Sequence, residues 1–271
     1  MSIIYNMSNR EYHDHDDVVS NSHLSKIAKS PKKLRSYLIN AKPKPTAEMV
    51  LGSATHKQVL EKDEFFDEFA LALDIQRRKD VDKATWKRFE DECAELGKEI
   101  ISKKMYSQVQ HMESAVFQHV GARKLLYDLP GKNEVSIFTK DPETDLETRI
   151  RCDRLLDNGL IVDLKTTKDA SPKAFAKSIV NLRYHVAAAF YLDNCLWEGL
   201  EVREFVFVAV EKEAPWGVAV YVLEPEAIIR GREIYRRDLN LYADCKKNRN
   251  WPDYGNDRIT KLQLPRYAYF D

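Results

Sequence analysis

Apolar and polar residues alternate most clearly over residues 149–168, where the pattern predicts two β-strands joined by a tight turn. The turn falls at residues 157–159, because the sequence Asp-Asn-Gly tolerates the positive φ angles that short hairpins need. Successive side chains of a strand point to opposite faces. One face of the second strand therefore carries Ile161, Asp163 and Lys165, and the other carries aliphatic residues only: Leu160, Val162 and Leu164.

The same patterns place the other elements. Further strands are predicted at residues 134–138, 201–210 and 218–223. The helical period predicts helices at residues 20–28, 31–38, 49–61, 82–126 (as two helices), from 171 onward, 184–197 and 227–247. Residues 1–19 lack a regular pattern and are expected to form a loop, and residues 65–75 a short strand or loop.

The order of these elements predicts the fold class and the domain organisation. Residues 1–130 are mainly helical, residues 131–250 combine strands with helices, and residues 251–271 form a tail. Strands that alternate with helices are typical of an α/β fold. We therefore expect one domain over residues 1–271, with a central mixed β-sheet flanked by helices and a helical N-terminal half packed against it.

The composition limits the class of protein. Hydrophobic residues make up 44% of the chain and charged residues 32%, which is typical of a globular protein. The N-terminus lacks a basic start followed by an apolar core, so we expect no signal peptide and a cytoplasmic location. The cysteines form no Cys-x-x-Cys pair, which disfavours a zinc ribbon or an iron–sulfur cluster: Cys93, Cys152, Cys195 and Cys245.

The charge balance changes this picture only slightly. Lys and Arg number 43, as do Asp and Glu, so the formal net charge is zero. A protein that coats nucleic acid through charge alone would carry a large positive excess. The balance still allows a local basic cleft in an otherwise neutral surface.

Acidic residues and a lysine of the central hairpin suggest a specific chemistry. Asp163 and Lys165 share a strand face, and Asp153 on the partner strand adds a second carboxylate if the register brings it close. Mg²⁺ prefers oxygen ligands and binds through one or two carboxylates. Such a site suits metal-dependent phosphodiester hydrolysis, in which a lysine offsets phosphate charge. The simpler interpretation is an Asp–Lys pair on an ordinary surface hairpin.

Several segments, taken in order, resemble the PD-(D/E)XK nuclease superfamily. More narrowly, they are similar to the exonuclease VIII (RecE-type) nuclease domain, in the RecB-like branch. The similar segments are Tyr12-His13 with residues 20–24 and 30–31, Gly52-x-x-x-His56, residues 134–138, 151–155 and 161–167, and the helix at 184–192.

This resemblance implies a restriction-endonuclease-like core and a set of site residues. It implies that Mg²⁺, for which Mn²⁺ can substitute, is held by His56, Asp153, Asp163 and the backbone carbonyl of Leu164. Lys165 would position and activate the attacking water. The supporting residues implied by the family are Glu134, which would orient part of the site, and Tyr191, which would lie close to the substrate phosphate.

The chain departs from the family pattern at one position. The family has a Gln-x-x-x-Tyr motif on the helix that follows the lysine, and here the glutamine is replaced by Ala187. An amide can hydrogen-bond a phosphate or the attacking water, whereas a methyl group cannot. Loss of one positioned donor commonly lowers turnover by on the order of a hundredfold. We therefore expect the metal site to persist and the hydrolysis to be weakened.

The resemblance also implies a function and partners. It implies a 5′-to-3′ exodeoxyribonuclease of phage or prophage DNA recombination that digests linear double-stranded DNA and leaves 3′ single strands. The implied partners are a DNA end, further copies of the chain in a ring-shaped homo-oligomer (a tetramer), and a single-strand annealing protein. Two alternatives remain open: a structure-specific or restriction-type endonuclease, and a catalytically impaired protein that binds DNA ends.

Overall fold

The structure, a computed structural model, describes residues 2–5, 7–15, 17–40, 43–76, 79–254, 259–265 and 269. Parts of the predicted C-terminal tail therefore lie outside the described residues. The strands are β1 (Ser2–Ile4), β2 (Phe69–Leu71), β3 (Glu99–Ile101), β4 (Gly131–Lys140), β5 (Glu147–Leu156), β6 (Leu160–Thr167), β7 (Glu204–Glu211) and β8 (Val218–Val222).

In the described part of the chain, eight helices lie between β1 and β4, two lie between β6 and β7, and one follows β8. They are α1 (Asn9–Asp14), α2 (Asn21–Ile27), α3 (Pro31–Ile39), α4 (Ala47–Leu60), α5 (Phe65–Glu68), α6 (Asp80–Glu95), α7 (Lys103–Gln118), α8 (Val120–Arg123), α9 (Pro172–Asn181), α10 (Tyr184–Trp197) and α11 (Pro225–Asn248). A 3₁₀ turn at Lys62–Glu64 follows α4, and a π-helical turn at Lys124–Asp128 follows α8. No helix of the described residues is both long and apolar enough to cross a membrane.

The main sheet is mixed, as predicted. Its strand order is β1-β4-β5-β6-β7-β8, and a separate pair of parallel strands joins β2 to β3. Within the main sheet only β6 and β7 run parallel. Parallel neighbours need a long crossover connection, which α9 and α10 supply. The predicted α/β fold with a central mixed sheet is thereby confirmed.

Both faces of the sheet are buried around β6 and β7. Phe205, Phe207 and Ala209 face a cluster that includes residues of α2, α3, α9, α10 and α11. The alternate residues of β7 (Val206, Val208 and Val210) face a second cluster, with residues of α4 and α7. The period of two along a strand explains this division, because each face meets its own layer of helices.

Local sequence signals set several of the element boundaries. Ser30 caps α3 by accepting a hydrogen bond from the Lys33 amide at 3.1 Å, and Pro31 opens the helix. Thr46 caps α4 in the same way, through the Met49 amide at 3.3 Å. The predicted helix at residues 184–197 coincides with α10. These capping signals are local, so the sequence alone was sufficient to find them.

One sequence-based prediction is wrong, and two others each left out an element. Residues 1–19 are not a loop, because β1 extends the sheet beside β4 and α1 follows it. The region between the two long helices contains β3, which pairs with β2 across about thirty intervening residues, a contact that no local pattern reveals. Residues 65–75 contain the predicted short strand as β2, but the helix α5 precedes it.

Candidate metal centre

Three carboxylates lie in one row across β4, β5 and β6. Pairing of β4 with β5 joins Asn133 to Arg154 and Val135 to Cys152, which leaves Glu134 opposite Asp153. Glu134 adopts a φ of 48°, and the pair is missing from the regular ladder. Like charges placed directly opposite each other destabilise a sheet, so a local break at this position is physically expected.

The same row continues into β6. The β5–β6 pairing ends with Arg154 opposite Val162, so the next position places Asp153 opposite Asp163. There the strands part, and Asp153 Oδ2 accepts a hydrogen bond from the Leu164 amide at 2.7 Å. The Asp153 side chain thus satisfies a backbone amide of β6 at a position where β6 has no hydrogen-bonded partner on β5.

Helix α4 brings an imidazole to this row of acids. His56 Nδ1 lies 3.3 Å from Asp153 Oδ2. One ligand atom each from His56, Glu134 and Asp153 lie within 4.8 Å of one another, which is compact enough to hold a metal ion. The sequence-based prediction that an imidazole from the helical half meets the sheet acids is consistent with this placement.

Lys165 lies beside the same acids and not in the aliphatic core. Its ammonium forms an ion pair with Asp163 Oδ2 and lies 5.2 Å from the centre of the Tyr184 ring. Burial opposes the charge of this ammonium, but Asp163 and Asp153 outweigh that effect and raise the pKa of Lys165 above its usual value. The lysine is therefore charged at neutral pH, and it offsets part of the negative charge of the row.

Burial and neighbouring charges separate the proton affinities of His56 and Asp153. Burial disfavours the charged imidazole, but the charge and the hydrogen bond of Asp153 outweigh it and raise the pKa of His56. Burial would also raise the pKa of Asp153, but His56, Lys165 and the Leu164 amide together lower it. Asp153 is thus the member of the row that most readily stays ionised.

The pKa values of the two outer carboxyls, Glu134 and Asp163, are raised, in contrast to that of Asp153. Burial raises the pKa of Glu134 to about 7, and the charge of Asp153 adds to the effect. Burial also raises the pKa of Asp163 to about 6, despite the neighbouring Lys165 ammonium. Three carboxylates in a partly buried row resist simultaneous ionisation unless cations compensate their charge, and clustered carboxylates of this kind are typical of functional sites.

The other predicted site residues lie around this centre. Tyr191 lines the same cleft as His56, and burial raises its pKa well above the usual value. Ala187 lies one helical turn before Tyr191 on α10, hence on the same side of the helix. Gly52 also lines the cleft. A Cβ at Gly52 would meet the Thr166 hydroxyl at 3.7 Å, an ordinary contact distance, so the neighbouring backbone is not packed tightly against this glycine.

Sequence reasoning missed a second group of charges beside the centre. The ammonium of Lys57 contacts Glu61 at 2.8 Å, Glu64 at 2.8 Å and Glu68 at 3.0 Å. All four side chains line the cleft that contains His56, whose volume is about 570 Å³. The helical spacing of Lys57 and Glu61 was a signal for one pair only, because Glu64 and Glu68 lie beyond the end of α4.

Sequence reasoning also missed the part played by the N-terminus. Tyr5, Met7 and Tyr12 line the same cleft, although they precede every predicted element. Their position depends on the pairing of β1 with β4, a strand that lies more than a hundred residues further along the chain. A local pattern could not have shown this contact.

The donor set fits a hard divalent cation. Glu134 and Asp153 offer oxygen ligands, and His56 adds a nitrogen ligand on the same side. Mg²⁺ and Mn²⁺ accept carboxylate oxygens, and Mn²⁺ also accepts imidazole. A mixed sheet that splays around an acidic row, with a lysine two residues after Asp163, defines a PD-(D/E)XK-like class of fold and site.

Comparison with known families agrees with this class. Residues 20–261 match a family described as a PDDEXK-like domain of unknown function, DUF3799. The match covers most of the chain, so the protein belongs to this family. No curated protein matches the chain.

Solved structures extend the comparison of the fold. A crystal structure of a candidate exonuclease from Eubacterium rectale is similar to this chain, with a TM-score of 0.64, 12% identity and 98% of each chain covered. A phage related exonuclease from Haemophilus somnus 129PT has a TM-score of 0.37 and 13% identity over 88% of this chain and 99% of its own. The first likeness concerns the fold, and the second is too weak to carry an argument. The family match confirms the predicted resemblance to the PD-(D/E)XK superfamily.

Proposed function

We propose that this protein is a metal-dependent exodeoxyribonuclease that digests linear double-stranded DNA from the 5′ end and leaves 3′ single strands for recombination. The observation that carries the proposal is the convergence of His56 and Asp153 beside the Asp163–Lys165 ion pair. An acidic row that can hold a divalent cation next to a charged amine is suited to phosphodiester hydrolysis. The polarity and the recombination role rest on the family resemblance.

Each residue of the centre has a part in this proposal. His56, Asp153, Asp163 and the Leu164 carbonyl would hold Mg²⁺ or Mn²⁺. Glu134 could add a ligand, because its carboxylate lies within 4.8 Å of the ligand atoms of His56 and Asp153. The bound ion supplies Lewis acidity and lowers the pKa of water. The Lys165 ammonium would orient the attacking water and offset charge on the phosphate. Asp163 holds that ammonium in place through their ion pair.

Tyr191 and Ala187 bear on the efficiency of the reaction. The Tyr191 ring lines the cleft, where its hydroxyl can donate a hydrogen bond to a substrate phosphate. Ala187 offers no hydrogen-bonding group on the adjacent turn of α10. We therefore expect slow turnover, and a protein that binds DNA ends with little cleavage is the related alternative that Ala187 favours.

Labelled DNA tests the proposal directly. Linear duplex carrying a label at either the 5′ or the 3′ end is incubated with protein and Mg²⁺ or Mn²⁺, and released nucleotides are measured over time. Early release of the 5′ label, abolished by EDTA, is the expected result. Early release of the 3′ label would contradict the polarity, and no release with either metal would contradict the proposed activity.

A closed circular plasmid separates the exonuclease from an endonuclease. An enzyme that requires an end leaves the covalently closed circle intact, whereas a structure-specific or restriction-type endonuclease nicks or linearises it. The Lys165→Met variant is the matched control, because it removes the amine and retains the carboxylates. Nicking that persists in this variant would point to a contaminating nuclease.

The remaining family features belong to the same proposal. We propose that the chain forms a ring-shaped homo-oligomer, a tetramer, that acts with a single-strand annealing protein in the cytoplasm. We also propose that residues 1–271 form one nuclease domain. Light scattering of the purified protein gives the mass of the assembly, and a monomeric mass would contradict the ring.

A further inference from the structure

The N-terminal segment, defined as residues 2–5 and 7–14, precedes the residues that match the family and lines the cleft that contains His56. The family match begins at residue 20, so this segment lies outside it. The segment nevertheless supplies part of the cleft wall: Tyr5, Met7, Ser8, Asn9 and Tyr12. Residues that line the cleft but precede the matched range are candidates for substrate selection, because the proposed metal ligands all lie within that range.

Arg151 fastens this segment to the sheet. Its guanidinium donates hydrogen bonds to the carbonyls of Met7 at 2.9 Å and Ser8 at 3.3 Å, and it lies 4.3 Å from the centre of the Tyr12 ring. The same group donates to Ser136 Oγ on β4 at 2.8 Å. One arginine on β5, two residues before Asp153, therefore ties the segment to the strands that carry the acids.

Tyr5 is an exposed aromatic residue of this segment at the cleft. Its side chain lines the cleft, and 49% of its surface is exposed, in contrast to the buried Tyr12. An exposed aromatic ring beside a phosphodiester site can stack on a nucleobase. Such stacking accepts every base, because each base has a flat π-face.

A group of acidic side chains in the same cleft constrains which part of a nucleotide can enter. Glu61, Glu64 and Glu68 surround the single ammonium of Lys57, and Asp67 adds a further carboxylate to the lining. The group is net negative, so it repels additional phosphates. A strand that continued through this part of the cleft would bring its phosphates against this group, whereas a terminal nucleotide with a 5′ hydroxyl would bring only its base and sugar.

We propose that the N-terminal segment binds the terminal nucleotide of a DNA strand, with Tyr5 stacked on the base, and that Arg151 positions the segment for this contact. The inference rests on the proposed function, since it assumes that DNA occupies the cleft. It deepens that function by naming the contact that makes the protein select ends. Tyr5 contacts the substrate, and Arg151 acts through the segment that it holds.

Equilibrium binding tests this contact without any need for turnover. The full chain is titrated into a fluorescently labelled short blunt duplex in EDTA, and a closed circular duplex of the same sequence serves as the unlabelled competitor. Tyr5→Ala is expected to raise the Kd for the linear duplex roughly tenfold, and Tyr5→Phe should preserve it because stacking uses the ring alone. Tyr5→Ala should leave the weaker binding of the circle unchanged.

The control and the positioning residue sharpen the test. Tyr254→Ala removes another exposed tyrosine, which is not among the residues that line the cleft, and it should bind as the wild type does. Arg151→Met should weaken binding to the linear duplex, and Arg151→Met combined with Tyr5→Ala should bind no more weakly than Tyr5→Ala alone. Residues that act through one contact are non-additive in this way, whereas independent structural damage adds.

The outcomes separate this inference from the proposed function. Equal wild-type affinity for linear and circular duplex, or an unchanged Kd in Tyr5→Ala, overturns the role of the segment even if the protein digests DNA. A wild-type protein that releases no nucleotide from any DNA overturns the proposed function, while the binding measurements still decide the role of Tyr5.

Discussion

Asp153 lies directly opposite Asp163, one position beyond the last paired residues of the β5–β6 hairpin. The two strands separate where these carboxylates would face each other. The Asp153 carboxylate accepts a hydrogen bond from the Leu164 amide there. The hairpin therefore opens at the position where charge accumulates. The opening gives His56 and Lys165 access to the acids, and a bound cation would relieve the repulsion between them.

Replacement of His56 should weaken metal binding. His56→Ala removes the nitrogen ligand that helix α4 contributes 3.3 Å from Asp153. We expect the Kd for Mn²⁺, measured by isothermal titration calorimetry, to rise by roughly a hundredfold, since even supporting groups around a metal contribute tenfold or more. His111→Ala is the control, because His111 stacks on Trp216 and does not line the cleft. An unchanged Kd in His56→Ala would exclude the imidazole as a ligand.

Replacement of Lys165 should separate binding from chemistry. Lys165→Met removes the ammonium that pairs with Asp163. We expect nucleotide release to fall by about a hundredfold or more, because a preorganised charge at the reacting phosphate is lost. The Kd for Mn²⁺ should change little, since the carboxylates and the imidazole remain. A variant with wild-type turnover would remove Lys165 from the catalytic group.

Restoration of an amide on α10 should increase activity. Ala187→Gln places a hydrogen-bonding group one turn before Tyr191, on the same side of the helix. We expect the rate of Mg²⁺-dependent digestion to rise by on the order of a hundredfold. Ala187→Met is the matched control, because its side chain has a similar length and no amide. Equal rates in both variants and the wild type would show that Ala187 does not limit turnover.

Metal binding should strengthen as the pH rises. The pKa of Glu134 is raised to about 7 and that of Asp163 to about 6, so both carboxyls retain protons in the metal-free protein at mildly acidic pH. A metal ion binds the deprotonated groups and displaces those protons. We expect the Mn²⁺ affinity to increase from about pH 5.5 to about pH 8, with proton release.

Calorimetry in two buffers with different ionisation enthalpies measures these displaced protons. Glu134→Gln should lower the number released near neutral pH, because the group with the higher pKa is gone. An affinity that does not vary with pH would show that the acids are already ionised in the metal-free protein.

The packing of α10 on α11 should be sensitive to a single methyl group. A Cβ at Gly231 would lie 2.1 Å from the His185 carbonyl oxygen, so Gly231→Ala must push the two helices apart. We expect the free energy of unfolding, from urea titration, to fall by about 1–3 kcal/mol. Gly52→Ala is the control, since its Cβ would meet the Thr166 hydroxyl at an ordinary contact distance of 3.7 Å. Alanine also has the higher helix propensity, so this variant should be no less stable than the wild type. Equal stability of Gly231→Ala and the wild type would contradict the close packing.

The elements that the sequence predicted well share a physical basis. Residues 160–167 alternate between two buried faces, and the turn before them contains Gly159 with a φ of 84°. Helices α3 and α4 begin at side chains that satisfy their own first backbone amides. The shared face of Asp163 and Lys165 could be predicted for the same reason, because the period of a single strand fixes it.

Only the tertiary structure shows which residues from distant segments lie near the acids of β4, β5 and β6. The sequence fixes neither the approach of α4, which places His56 against Asp153, nor the pairing of β1 with β4, which brings Tyr5 to the cleft. The interruption opposite Glu134 and the ring of carboxylates around Lys57 are likewise visible only in three dimensions. A local pattern predicts which face of a helix or strand a side chain occupies. The element that packs against that face is determined by the packing of the whole chain.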